Sequence, residues 1–98
     1  MAALTEGTDY FVRRKATDEA TELLIYTVAT VDDGDTLTVT LSDYGINNFL
    51  GASGFIHTTE DSVIVAEAPT TAVSSGVLTL TVGGSTDNKK RTYTVLGV

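Results

Sequence analysis

The sequence predicts an all-β domain: a single small β-sandwich or jelly-roll-like barrel of about seven or eight short antiparallel strands, with one short helical turn near residues 43–50. Three observations predict it. About a third of the 98 residues are Thr, Val or Ile, whose branched side chains suit a pleated surface and lose rotamer freedom in a helix. Apolar residues alternate with threonine in several segments, the period of a strand with one buried face. Turn residues fall between those segments, and there is one proline, Pro69. At 10.3 kDa the chain has the size of one domain, residues 1–98.

The elements follow in order. Residues 1–8 carry no pattern and are expected to form a flexible N-terminal arm unless a partner holds them. Residues 10–15 begin apolar and end basic, as an edge strand would. Residues 16–22 are polar and read as a loop or one helical turn. Residues 23–31 are nearly all apolar and read as a central strand covered on both faces. Asp32-Asp33-Gly34-Asp35 reads as a hairpin turn into residues 36–41, where Leu37, Val39 and Leu41 oppose three threonines. Residues 42–50 form a connector, with Ser42 or Asp43 as the cap of its turn and Ile46, Phe49 and Leu50 packed under the sheet. Residues 55–59 and 62–67 pair across a tight turn at Glu60-Asp61. Ser74-Ser75-Gly76 leads into residues 77–82, where Leu78, Leu80 and Val82 oppose Thr79 and Thr81. A loop over residues 83–88 precedes the alternating strand Thr92-Tyr93-Thr94-Val95.

Charge narrows the function classes. Thirteen acids against six bases give a net charge of −7, so the long-range field disfavours nucleic acid as a partner. No apolar run is long enough to span a bilayer, and no basic-then-apolar start reads as a signal peptide, so no membrane partner is expected and the chain reads as soluble and intracellular when made. Without cysteine, disulfides and thiolate zinc sites are excluded.

All six basic residues lie in two triplets, Arg13-Arg14-Lys15 and Lys89-Lys90-Arg91. If the strands bearing them are neighbours, they form one cationic patch on an acidic body, fit to dock an acidic protein surface or a second subunit. Each triplet also reads as a solvated strand end that blunts a sheet edge. Tyr44, a half-polar ring in the connector, is the candidate interface anchor. The other large aromatics, Tyr10, Phe11, Tyr26, Phe49, Phe55 and Tyr93, read mainly as core.

No catalytic, cofactor or metal site is expected. The aspartates at 32, 33 and 35 invite calcium, but Leu37 stands where an EF-hand needs a ligand and no Glu closes the loop. His57, the single histidine, has no nucleophile elbow to serve, and a strand position bonded to backbone accounts for it. Gly83-Gly84-Ser85-Thr86 lacks the Lys-Ser/Thr ending of a phosphate cradle.

Short blocks in the middle and end of the chain resemble small structural proteins encoded among the head genes of tailed bacteriophages. They are Asp33-Gly34-Asp35-Thr36, Leu41-Ser42-Asp43-Tyr44-Gly45-Ile46, Phe49-Leu50-Gly51 and Gly54-Phe55-Ile56-His57-Thr58-Thr59. Glu67-Ala68-Pro69-Thr70-Thr71, Ser75-Gly76-Val77-Leu78-Thr79, Val82-Gly83-Gly84-Ser85 and Arg91-Thr92-Tyr93 continue the likeness, which spans residues 32–97. It implies a non-enzymatic decoration or cement protein that stabilises a phage head by binding the major capsid protein lattice. It places the chain on the outer capsid surface, and in the host cytoplasm during assembly. A homo-oligomer, trimer or dimer, is expected, because a thin core gains stability from a partner. The alternative is a carbohydrate- or surface-binding β-sandwich module of a phage fibre or adhesin, which requires an exposed aromatic platform.

Overall fold

A computed structural model describes residues 3–16, 19–27, 31–84 and 86–98. The chain is a β-sandwich of two antiparallel sheets. The strands are β1 (Tyr10–Ala16), β2 (Thr21–Thr27), β3 (Thr36–Thr40), β4 (Phe49–Thr59), β5 (Val63–Ala66), β6 (Thr70–Ser74), β7 (Val77–Thr81) and β8 (Arg91–Gly97). The large sheet has the order β1-β2-β8-β4-β5, and the small sheet β3-β7-β6. Both sheets are open, so the architecture is the sandwich and not the closed barrel.

Period-two alternation builds the core. Leu23 and Ile25 of β2 and Tyr93 and Val95 of β8 meet Leu37 and Val39 of β3 and Leu78 and Leu80 of β7, all buried. Tyr10, Val31, Leu41, Ile46 and Val82 close the ends. Burying each large aliphatic side chain contributes roughly 1.5–3 kcal/mol against the ordering entropy of the strands. Strand β8 sits between β2 and β4 and so joins the two halves of the large sheet. The β6–β7 hairpin turns on Ser75 and Gly76, both at positive φ (50° and 78°), the twist a two-residue loop needs.

Five expectations are corrected. The strand read as covered on both faces is β2, which alternates buried and exposed and ends at Thr27, with residues 28–30 outside the described residues. Its outward positions happen to be apolar, so the sequence loses the period. The aspartate turn is no hairpin, because β2 and β3 belong to different sheets and the chain crosses between them. The helical turn is a 3-10 turn at Leu41–Tyr44, earlier than expected, and no side chain caps it. Leu50 is 56% exposed: β4 bulges between Phe49 and Gly51 against β8, and the extra residue is turned outward. The N-terminal arm, of which residues 1–2 lie outside the described residues, is held by the chain itself. The Leu4 N–H donates to the Thr36 carbonyl at 2.8 Å, Ala3 bridges Thr36, and Leu4 packs on the core. Of the polar segment 16–22, residues 17–18 also lie outside the described residues.

Candidate functional site: the outer face of the large sheet

Among the described residues no third layer covers the far side of the large sheet. The registers place Phe11, Tyr26, Thr92, Phe55 and Ala66 in one row across all five strands. The next row is Arg13, Leu24, Thr94 and Ser53, and the one after it Lys15, Glu22, Leu96 and Gly51. These residues face away from the core, because Leu23, Ile25, Tyr93 and Val95 between them face into it. Leu24, Phe55 and Leu96 keep 40–43% of their surface exposed.

The face has two parts. At one end the Phe11 and Tyr26 rings lie 5.8 Å apart, tilted by 31°, and Phe55 continues the row beyond Thr92. At the other end a shallow hollow of about 270 Å³ is lined by Glu22, Gly51, Ala52, Ser53, Thr94 and Leu96. Gly51 supplies no side chain to fill it. Hydroxyls of Thr92, Thr94 and Ser53 run between the apolar groups. Arg13 and Lys15 stand along the β1 edge, Lys15 directly across from Glu22.

His57 sits at the aromatic end. Its Nδ1 accepts the Asp61 backbone N–H at 3.2 Å, and its Nε2 lies 3.2 Å from Thr92 Oγ1. The Asp61 carboxylate is 3.8 Å from Nδ1, so hydroxyl, imidazole and carboxylate form a line. The hydrogen bonds run the wrong way for catalysis. With Nδ1 accepting an N–H, Nε2 is the nitrogen placed to donate to the threonine, whereas a general base needs Nε2 free. The arrangement ties the β4–β5 turn to β8.

The two basic triplets do not meet. Lys15 is level with Leu96, while Lys90 precedes the first residue of β8, which separates them by about 20 Å along the strands. Within the first triplet, Arg13 and Lys15 are on the outer face, and Arg14 turns away so that its Nε donates to the Tyr44 carbonyl at 3.0 Å. Tyr44 is half-buried and its hydroxyl donates to Glu6 at 3.2 Å. Burial, then the Glu6 charge, pushes its phenol above the usual range. In the second triplet, Lys89 donates to the Thr58 carbonyl and Lys90 pairs with Asp61 at 3.1 Å.

Arg91 is fully buried, which removes it from any docking surface. Its Nε donates to Glu67 at 2.8 Å, its Nη1 to the Val31 carbonyl at 2.7 Å and its Nη2 to the Thr86 carbonyl at 2.6 Å. It is an internal clamp on three chain segments. The aspartate cluster likewise bonds within the chain, although Asp33 and Asp87 are exposed. Asp35 is buried and accepts the Asp32 N–H, Asp32 accepts the Asn88 N–H, and Asp87 accepts the Asp33 N–H. These carboxylates stitch the crossover to the loop before β8. No group of three or more His, Cys, Asp or Glu among the described residues is placed to hold a metal ion. Ser85, in the glycine-rich loop, lies outside the described residues.

Sequence reasoning assigned Phe11, Tyr26 and Phe55 mainly to the core, placed Leu24 in a strand covered on both faces, and left Leu96 without a role. One signal was available. In β8 the residues in step with Thr92 and Thr94 face outward, and Leu96 occupies the next such position.

No protein-family model matches the chain, and no curated protein matches it. Among solved structures it is similar to the fibre head protein of bovine atadenovirus type 4. The TM-score is 0.47 and the identity 11%, over 89% of this chain and 83% of that one. A likeness of this extent says nothing of what this chain binds.

Proposed function

We propose that this chain is a non-enzymatic virion structural protein that works as a surface-binding β-sandwich module, through the outer face of its large sheet. The observation that carries the proposal is the row Phe11, Tyr26, Thr92 and Phe55 with Leu24 and Leu96 beside it. Scattered apolar residues are ordinary on a surface; a contiguous apolar field with hydroxyls between its members is the composition of a contact face. The virion setting comes from the resemblance of residues 32–97 to phage head proteins.

Of the two finer readings, a fibre or adhesin module is favoured by the aromatic row flanked by hydroxyls, in which Phe55 is exposed and Phe11 and Tyr26 are half-buried. Capsid decoration, with the major capsid protein as partner on the outer shell, is the second reading. The same face serves it, since a cement protein needs a broad complementary surface and no pocket, and many equivalent weak contacts on a lattice add up.

The test compares the chain with a Phe55→Ser/Leu96→Ser variant for binding to a glycan array and to shells lacking the chain. Glycan binding lost in the variant supports the fibre or adhesin reading, and shell binding lost in the variant supports decoration. Binding to neither target, or binding that the variant leaves intact, refutes the proposal.

A further inference from the structure

Among the described residues the sandwich has four edge strands, and two of them are guarded. β1 carries Arg13, Arg14 and Lys15, charges that oppose edge-to-edge pairing. β3 is bridged by Ala3 and Leu4 at Thr36. β6 carries no charge either, but it is mostly threonine and serine, so it presents little apolar surface to a second strand. β5 has no guard: Val63, Ile64, Val65 and Ala66 carry no charge, and Val63, Ile64 and Val65 are each about half exposed.

The backbone of β5 is also available. The Glu67 N–H donates to the Gly54 carbonyl at 2.8 Å, which makes Gly54 and Glu67 a hydrogen-bonded pair. Bonded and non-bonded pairs alternate in an antiparallel ladder, so Val65 bonds inward to its partner Ile56. The N–H and C=O groups of Ile64 and Ala66 then point out from the sheet. What covers this edge must therefore be an extended strand.

It must also be apolar on both faces. Val63 and Val65 lie on the side facing the small sheet, which does not reach over them, and Ile64 and Ala66 lie on the outer side with Phe55. Among the four edge strands, β5 alone is apolar on both sides, so the strand that matches it is another β5. Charge then selects the register. Acids stand at both ends, Glu60 and Asp61 before β5 and Glu67 after it. Centring a two-fold axis on Ile64 would set Asp61 against the partner's Glu67. Centring it on Val65 sets Ile64 against Ala66 and Glu67 against Val63, with no like charges opposed.

We infer that two copies of this chain pair antiparallel along β5 about a two-fold axis at Val65, forming one continuous ten-stranded sheet whose two outer faces join. The contact is isologous and closes after two copies. It does not depend on what the outer face binds.

The experiment is sedimentation equilibrium of the full chain over a concentration series, at low and high salt, with two variants. The chain is expected to be a dimer that tightens as salt rises, because neutral strands bring together bodies of charge −7 each. A subunit contact made by the basic triplets would weaken instead. Val65→Lys sets two cations face to face at the axis and is expected to raise the dissociation constant at least about tenfold. Since the chain has no cysteine, Val65→Cys reports the register without a change of charge. Facing residues of a non-bonded pair, with Cα atoms about 4.5 Å apart, fall within disulfide reach. Mild oxidation should link Val65→Cys chains in pairs and leave Ser62→Cys chains unlinked. A monomer at all concentrations, a folded Val65→Lys chain that dimerises unchanged, or equal cross-linking of both cysteine variants would overturn the inference. If Val65→Lys does not fold, the cysteine pair decides.

Discussion

Replacing Arg91 by Met keeps an apolar stem in the core and removes a guanidinium that is fully buried. Three carbonyls, those of Val31, Thr86 and Lys89, lose a donor. Glu67, whose side chain is 14% exposed, loses its cation at 2.8 Å. Breaking a buried pair by deleting one partner costs about 3–5 kcal/mol, chiefly because the other charge is left uncompensated. A domain of this size is stable by roughly 5–15 kcal/mol, so the variant should lose a large share of its stability. Urea unfolding followed by circular dichroism measures it. Removing both charges, as Arg91→Met/Glu67→Leu, should recover most of the loss, since an apolar pair of similar volume is near neutral. Lys90→Glu, on a partly exposed residue whose partners Glu60 and Asp61 are largely solvent-exposed, should cost no more than about 1 kcal/mol. If Arg91→Met costs under about 1 kcal/mol, or the double variant is no better than the single, Arg91 is not the clamp described here.

Other expectations concern the core, the arm and the face. The Tyr93 hydroxyl is buried without a protein partner, so Tyr93→Phe should leave stability unchanged or raise it by about 1 kcal/mol in the same urea assay. Burial, countered in part by Arg91, pushes the Tyr93 phenol up to about 12. Because the folded chain holds this proton more tightly than the unfolded one, stability should fall as pH rises from about 10 to about 12, and Tyr93→Phe should flatten that fall in thermal melts. Deleting residues 1–6 removes the Leu4–Thr36 bond, the Leu4 packing and the Glu6–Tyr44 contact, and should cost about 1–3 kcal/mol; an unchanged melting temperature would show the arm to be idle. Phe55→Ser/Leu96→Ser removes two side chains that are each 40% exposed and should cost about 2–4 kcal/mol, so its circular dichroism and melt must show a folded chain for loss of binding to report the face.

The strands with threonine on one side were legible because their two faces differ in chemistry: residues 36–41 and 77–82 show their buried sides directly. The β4–β5 hairpin was legible from its turn. Strand β2 was not, since Leu24 and Tyr26 point outward yet are as apolar as Leu23 and Ile25, and a run without alternation reads as buried on both sides. That error hid the candidate site, which is made of the outward apolar residues the period could not separate from core. The connection after β2 was misread because a turn such as Asp32-Asp33-Gly34-Asp35 fixes a change of direction, not the sheet that the next strand joins. The basic triplets misled for a related reason. Charge counts do not say which guanidinium faces inward, and Arg91 falls on the buried side of β8 in step with Tyr93 and Val95.

Electron cryomicroscopy of an intact particle carrying this chain shows what lies against each of its faces. If the outer face is the binding surface, a neighbouring molecule is seated on it, over Phe55, Leu24 and Leu96. A chain held by other surfaces, with that face open to solvent, would contradict that reading.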